Sequence, residues 1–320
     1  MILEYLHPDP NVWDGFAVVV RAGYYAASLA AAGTVFFLVL LGPSLLADEQ
    51  RRVRRWLVAL VLAGIVASLL AWPVRAAILS RDGFDGLLRF DLYAAIGRSR
   101  IGDAFFLRLG GLALCLAALS RQSWALPVAA IGAFVVCASY AAMGHSTLYM
   151  PRQELSVFTT VHLAAVAFWI GSLVPLRIVC ERADNVAIVS VLDAFSKIAV
   201  GAIAVLASIG ALAAFYLIGR WDLLAASWYG WAFVAKISVF LVLLSIAAWN
   251  KIRLTPAIRL GAPGAPARLR FAIGVEIWVA VLVFYAAAEM VSVHPLDYGH
   301  RIANRFRGKR SFHLVDAERR

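Results

Sequence analysis

Residues 51–79 read RRVRRWLVALVLAGIVASLLAWPVRAAIL: four arginines, Arg51, Arg52, Arg54 and Arg55, abut a run in which no charged residue occurs from Trp56 to Val74. An α-helix needs about 20 residues to cross roughly 30 Å of hydrocarbon. The stretch therefore reads as a transmembrane span with its basic flank among headgroups. Runs of the same kind occupy approximately residues 16–42, 56–79, 104–120, 124–143, 155–177, 195–219, 230–250 and 271–291, each interrupted by charge, Pro or Gly clusters. The expected fold is all-α: a polytopic membrane helical bundle with about eight transmembrane helices. Of the 320 residues, 62% are hydrophobic and 15% charged, against roughly 45–50% and 25% in soluble domains. No soluble domain of any size can be cut from such a chain.

Residues 1–15, MILEYLHPDPNVWDG, hold no Lys or Arg, unlike a cleavable signal, so the first span is expected to stay in the mature protein. Lys251, Arg253, Arg259, Arg268 and Arg270 lie between the seventh and eighth spans. By the positive-inside rule this loop and the Arg51–Arg55 loop are both cytoplasmic, which puts the N-terminus, and with eight spans the C-terminus, outside. The tail with Arg301, Arg305, Arg307, Lys309 and Arg310 opposes that assignment, with the weaker influence of a late segment. The net charge of +11 then reflects topology and anionic lipid headgroups rather than nucleic acid. Between Arg81 and Asp103 the segment FDGLLRFDLYAAIG reads either as a short amphipathic helix in the interface or as a surface loop. Cys115, Cys137 and Cys180 show neither C-x-x-C spacing nor a paired framework, and read as small apolar side chains.

With that topology His7, His145, His162, His294, His300 and His313 fall in or beyond the outer half of the molecule, as do Met1, Met143, Met150 and Met290. Imidazole with thioether is a ligand set that suits copper, thioether favouring Cu(I). His162 stands out because it lies inside the fifth span, roughly 10 Å from its outer end by helical rise, and an ionisable group at that depth is a functional candidate. Its alternative is a neutral histidine hydrogen-bonded to a neighbouring helix. Trp169 lies two turns along the same face, and Gly171-Ser172 lets a neighbour approach closely. His145 and Met143 end the fourth span, at the mouth of a site whose floor would be His162. Arg21, Arg75, Arg108, Lys236 and Glu276 are further polar residues within spans and need partners or water. Tyr285 and Glu289 stand at the depth of Lys236, and Asn250 or Ser245 at that of Glu276. These groups read as a path across the bilayer or as interhelical contacts that fix packing. No GxGxxG, P-loop, GxSxG or HExxH pattern occurs in a supporting context, so no enzyme is expected.

Gly144-His145, His162 with Trp169-Ile170-Gly171-Ser172, Phe195-Ser196, Tyr229-Gly230 before Lys236, Asn250-Lys251, Glu276 and Pro295 follow one another in an order that resembles the CopD/PcoD copper-resistance family of bacterial inner-membrane proteins. The resemblance runs from about residue 140 to 296, with Gly-Ser and Asn-Lys where Gly-Gly and Asn-Arg are expected. Residues 1–320 are then one integral membrane domain with a CopD-like core at 140–296 and a basic tail at 297–320. The resemblance implies copper taken from the periplasm, often from a small CopC-type carrier, and moved through the inner membrane. It also implies His145 and His162 as the metal-handling positions; Met143 is expected as a third ligand, and Met150, His7 or His294 as capture residues. Two other readings stay open: a haem-bearing redox protein with histidine axial ligands, and a scaffold that delivers copper to an oxidase.

Overall fold

The structure is a computed structural model that describes residues 12–80, 82, 84–142, 152–218 and 228–292. Among them the chain forms helices α1 (Val12–Leu41), α2 (Ala47–Ser80), α3 (Phe90–Gly97), α4 (Arg100–Cys115), α5 (Ala125–Ala141), α6 (Arg152–Val179), α7 (Asn185–Ile218), α8 (Trp228–Trp249), α9 (Thr255–Arg259) and α10 (Ala265–Ser292), with no strand. The architecture is a polytopic helical bundle, as read from the sequence.

α1 is its axis. Every residue from Ala31 to Leu38 is buried, as befits a helix apolar on all sides, and α2, α4, α5, α6 and α10 pack around it. The contact with α6 is the tightest: a Cβ on Gly33 would stand 1.6 Å from the Ala167 carbonyl oxygen, and one on Gly171 2.5 Å from the Gly33 backbone. Small residues at a membrane interface permit that approach. Pro175 lies inside α6 and has no N–H for the carbonyl of Gly171 four residues back. Thr34 Oγ of α1, bonded to the Ala30 carbonyl of its own helix at 2.8 Å, shares its proton with that oxygen at 3.2 Å, so the proline's missing bond is partly replaced by an interhelical one.

α7 packs on α6 and α8 on α10, and both leave most of their apolar surface exposed, the lipid-facing side of the bundle. Asn250–Leu254 continues α8 as a π-helical turn leading into α9. Among the described residues seven helices are long and apolar enough to span a membrane. The remaining one of the eight spans read from the sequence, the fourth at 124–143, is α5, apolar but 17 residues long, about 25 Å at the helical rise. It makes a hairpin with α4 in which Gly132 meets Gly111 closely: a Cβ on Gly132 would lie 2.6 Å from the Gly111 oxygen. Span six begins at Asn185 rather than near 195, because its first turns extend past the apolar run and Asp193 there pairs with Arg259 of α9 at 2.7 Å. The segment before Asp103 is helical: a turn at Asp85–Leu88 and then α3, with Phe84, Leu88 and Phe90 exposed.

The two basic loops, one with Arg51–Arg55 and the other running from Lys251 to Arg270, lie at the same end. Glu181, between α6 and α7, accepts from Arg52 at 2.7 Å and pairs with Arg270 at 3.3 Å. Beside it Arg182 donates to both carboxylate oxygens of Glu49 (2.7 and 2.6 Å), to the Ser44 carbonyl (2.9 Å) and to the Ala187 carbonyl (3.1 Å).

Candidate functional site

α6 carries His162 and, two turns on, Trp169. The α1–α6 glycine contact fixes the helix from behind, and the opposite face looks to α8: the Trp169 ring meets Phe240 edge-on at 6.1 Å. α6 and α8 run in the same direction, so the residues preceding this aromatic contact on both helices lie towards the end away from the two basic loops. They are His162, partly buried, and Lys236, one turn before Phe240. Of the groups the sequence offered at the depth of Lys236, Tyr285 is exposed on α10.

About 20 Å along α8 from Lys236, a second polar station lies at the end that carries the two basic loops. The π-helical turn turns Asn250 inward, Thr255 Oγ donates to the Asn250 carbonyl at 3.1 Å, and Asn250 Nδ2 donates to Glu276 Oε1 of α10. Both side chains are buried. The other sequence candidate, Ser245, donates to the Leu241 carbonyl at 2.7 Å within its own helix.

Of the metal-site residues expected from the sequence, His162 alone is placed. Met143, His145, Met150, His7 and His294 lie outside the described residues. Among the described residues no three His, Cys, Asp or Glu side chains converge on a point. Cys115, Cys137 and Cys180 are buried free thiols.

A polar cluster unanticipated from the sequence lies across α1, α4 and α5. The Arg108 guanidinium lies against both the Tyr24 and Tyr140 rings, 4.5 and 4.4 Å from their centroids, and Ser28 Oγ hydrogen-bonds the Tyr140 hydroxyl at 2.6 Å. Cation–π contact with two rings lets an arginine stand in the bundle. Arg108 was visible as an intramembrane charge; its partners, on helices remote in sequence, carried no signal of their own.

Comparison with known families decides what this architecture is. Residues 12–149 match the family described as copper resistance protein D-like, N-terminal domain, and residues 189–290 match copper resistance protein D. This chain belongs to the copper resistance protein D family. A curated relative, the copper transport protein CutJ of Bacillus subtilis (strain 168), is 25% identical over 279 residues, covering 82% of this chain and 51% of its own length. The chain thus spans about half of that relative. No solved structure matches.

Within the copper resistance protein D frame, Met143 and His145 fall at the end of the N-terminal match. Lys236, Asn250 and Glu276 fall inside the C-terminal one. His162 lies between the two, on the helix that joins them. The N-terminal half, legible in the sequence only through its hydropathy, has a match of its own.

Proposed function

We propose that this chain carries copper through the bacterial inner membrane from a site on its periplasmic side, acting as a carrier rather than an enzyme. Membership of a copper-resistance family, together with an imidazole set at membrane depth on the helix linking the two matched regions, supports this reading. In it His145 and His162 are the primary ligands, Met143 the third, and Met150, His7 and His294 capture residues ahead of them. Such an N/S set, open on one side, releases copper as a carrier must, where a closed tetrahedral cage would retain it. The N-terminus is periplasmic, and a small CopC-type carrier is the natural donor of the cargo.

Lys236 stands on the neighbouring α8, one turn before the Phe240 ring that meets Trp169 of α6. The Asn250–Glu276 pair is then the polar station on the inner half of the route.

Metal analysis and an absorption spectrum of detergent-purified protein, before and after Cu(I) loading, test the reading. About one copper per chain without a Soret band, lost in His162→Ala at unchanged expression, is the expected result. Unchanged stoichiometry in that variant removes His162 from the site, and a Soret band without copper replaces the carrier with a haem protein.

A further inference from the structure

A cavity of about 70 Å³ lies between α1, α2 and α4, with Ile96 of α3 in its wall. One water needs only about 10–15 Å³ on this measure, so the space admits a small polyatomic group. Its lining is cationic: Arg21 from α1, Arg75 from α2 and Arg108 from α4 all contribute. No Asp or Glu lines it among the described residues. Nearby, Asp82 and Asp91 are engaged elsewhere, both pairing with Arg89, at 3.0 and 2.8 Å.

Guanidinium groups do not lose their protons in proteins, so the charges that the half-buried Arg21 and Arg75 bring to the cavity are permanent, and a charge partly withdrawn from water attracts an opposite one. Donors without partners point the same way. Ser68, Trp72 and Arg75 recur at i, i+4 and i+7 on one face of α2, all lining the cavity. Ser68 is fully buried, and Ser68 Oγ, Trp72 Nε1 and Arg75 Nε have no hydrogen-bond partner among the described residues. Buried polar atoms without partners are uncommon and call for a ligand or water. The Tyr24 and Tyr140 rings, which stack on each other, both contact the buried Arg108 guanidinium, a preorganised wall rather than a flexible surface arginine.

We propose that this cavity is an anion site for a phosphate-type oxyanion, with Arg21, Arg75 and Arg108 as its charge and Ser68 and Trp72 as neutral donors. Planar guanidinium forks match a tetrahedral oxyanion. The anion is a free oxyanion or the phosphate of a lipid headgroup reaching in beneath α3, whose exposed Phe90 and the preceding Phe84 and Leu88 form an apolar interfacial edge. The site is separate from His162 and does not depend on the copper reading.

The full chain, purified in detergent, is titrated with inorganic phosphate while thermal unfolding is followed, and the phospholipid it retains is quantified by mass spectrometry. Arg75→Gln and Ser68→Ala are run alongside, with Arg75→Lys as the charge-conserving control. Stabilisation by phosphate, at least tenfold weaker in Arg75→Gln and partly restored in Arg75→Lys, establishes a free oxyanion site. No phosphate response, but about one anionic phospholipid per chain that Arg75→Gln loses, assigns the headgroup. In either case Arg75→Gln is the more stable protein without anion, because like-charge repulsion is relieved, and the less stable with it. A wild-type chain that neither responds to phosphate nor retains lipid overturns the proposal, and this needs no variant to fold. Equal binding in wild type, Arg75→Gln and Ser68→Ala overturns it too.

Discussion

Glu276 is 3% exposed, and the hydrogen bond from Asn250 is what makes its burial tolerable. Asn250→Ala strips the donor from a buried carboxyl and is expected to cost about 1–3 kcal/mol, read as a lower Tm in detergent. The double variant Asn250→Ala/Glu276→Leu should recover part of that loss, because neither polar group is then stranded. Additive losses would show that the two side chains do not act as a pair. The sequence placed Glu276 within reach of Asn250 or Ser245 because both stand at its depth on the preceding span. Helical periodicity did not choose between them. The π-helical turn adds a residue to the turn at Asn250 and so re-aims that side chain, while Ser245 satisfies its hydroxyl on its own helix. His162 was legible as an ionisable group at depth, yet the helix its face looks to was not, since the Trp169–Phe240 contact joins two helices far apart in the chain.

At the level of elements, the α1–α6 seam is the joint on which the position of His162 depends. Gly171→Val would push side-chain atoms into the Gly33 backbone, where nothing can rotate away. Overpacking of this kind costs about 1–3 kcal/mol. Because α6 would be displaced as a body, the variant should weaken copper binding about tenfold or more although residue 171 touches no metal in the proposed site. Paired copper titration and thermal unfolding check this, and a variant with lowered Tm and unaltered copper affinity would separate the seam from the site. Thr34→Val tests the same joint more gently. It leaves the Gly171 carbonyl, already deprived of the Pro175 N–H, without its donor, at about 1 kcal/mol. Gly171-Ser172 announced a close approach in the sequence, and the approach is there. That the neighbour is α1, and that its Gly33 answers Gly171, follows from packing between helices far apart in the chain, which a single amphipathic pattern does not encode.

Across the whole molecule, the inner ends are clamped by charge. The Arg182–Glu49 pair is nearly inaccessible, with side chains 8% and 7% exposed. Removing one partner by Glu49→Gln strands the guanidinium at about 3–5 kcal/mol, a lower Tm than Glu181→Gln should give, because Glu181 and Arg52 are about a third exposed and screened by solvent. The hydrogen bond from Arg52 holds the Glu181 carboxyl below the usual carboxylate range. Its stabilisation is therefore complete above that range and is lost as pH falls through the lowered value. Glu181→Gln should flatten the acid limb of a Tm-against-pH curve, and an unchanged limb would assign the effect to other acids. The same clamp fixes that the Arg51–Arg55 loop and the loop bearing Arg253 and Arg270 share one side, as the basic residues of the sequence implied. Which side of the membrane this is follows from the positive-inside rule. It is directly testable, because the three described cysteines are buried and give little background. Phe90 and Leu260 are 68% and 85% exposed at opposite ends of the bundle. With a membrane-impermeant maleimide on intact spheroplasts, Phe90→Cys should label at once and Leu260→Cys only after permeabilisation. The reverse pattern would invert the protein, place His162 on the cytoplasmic half, and turn the proposed uptake site into an exit site.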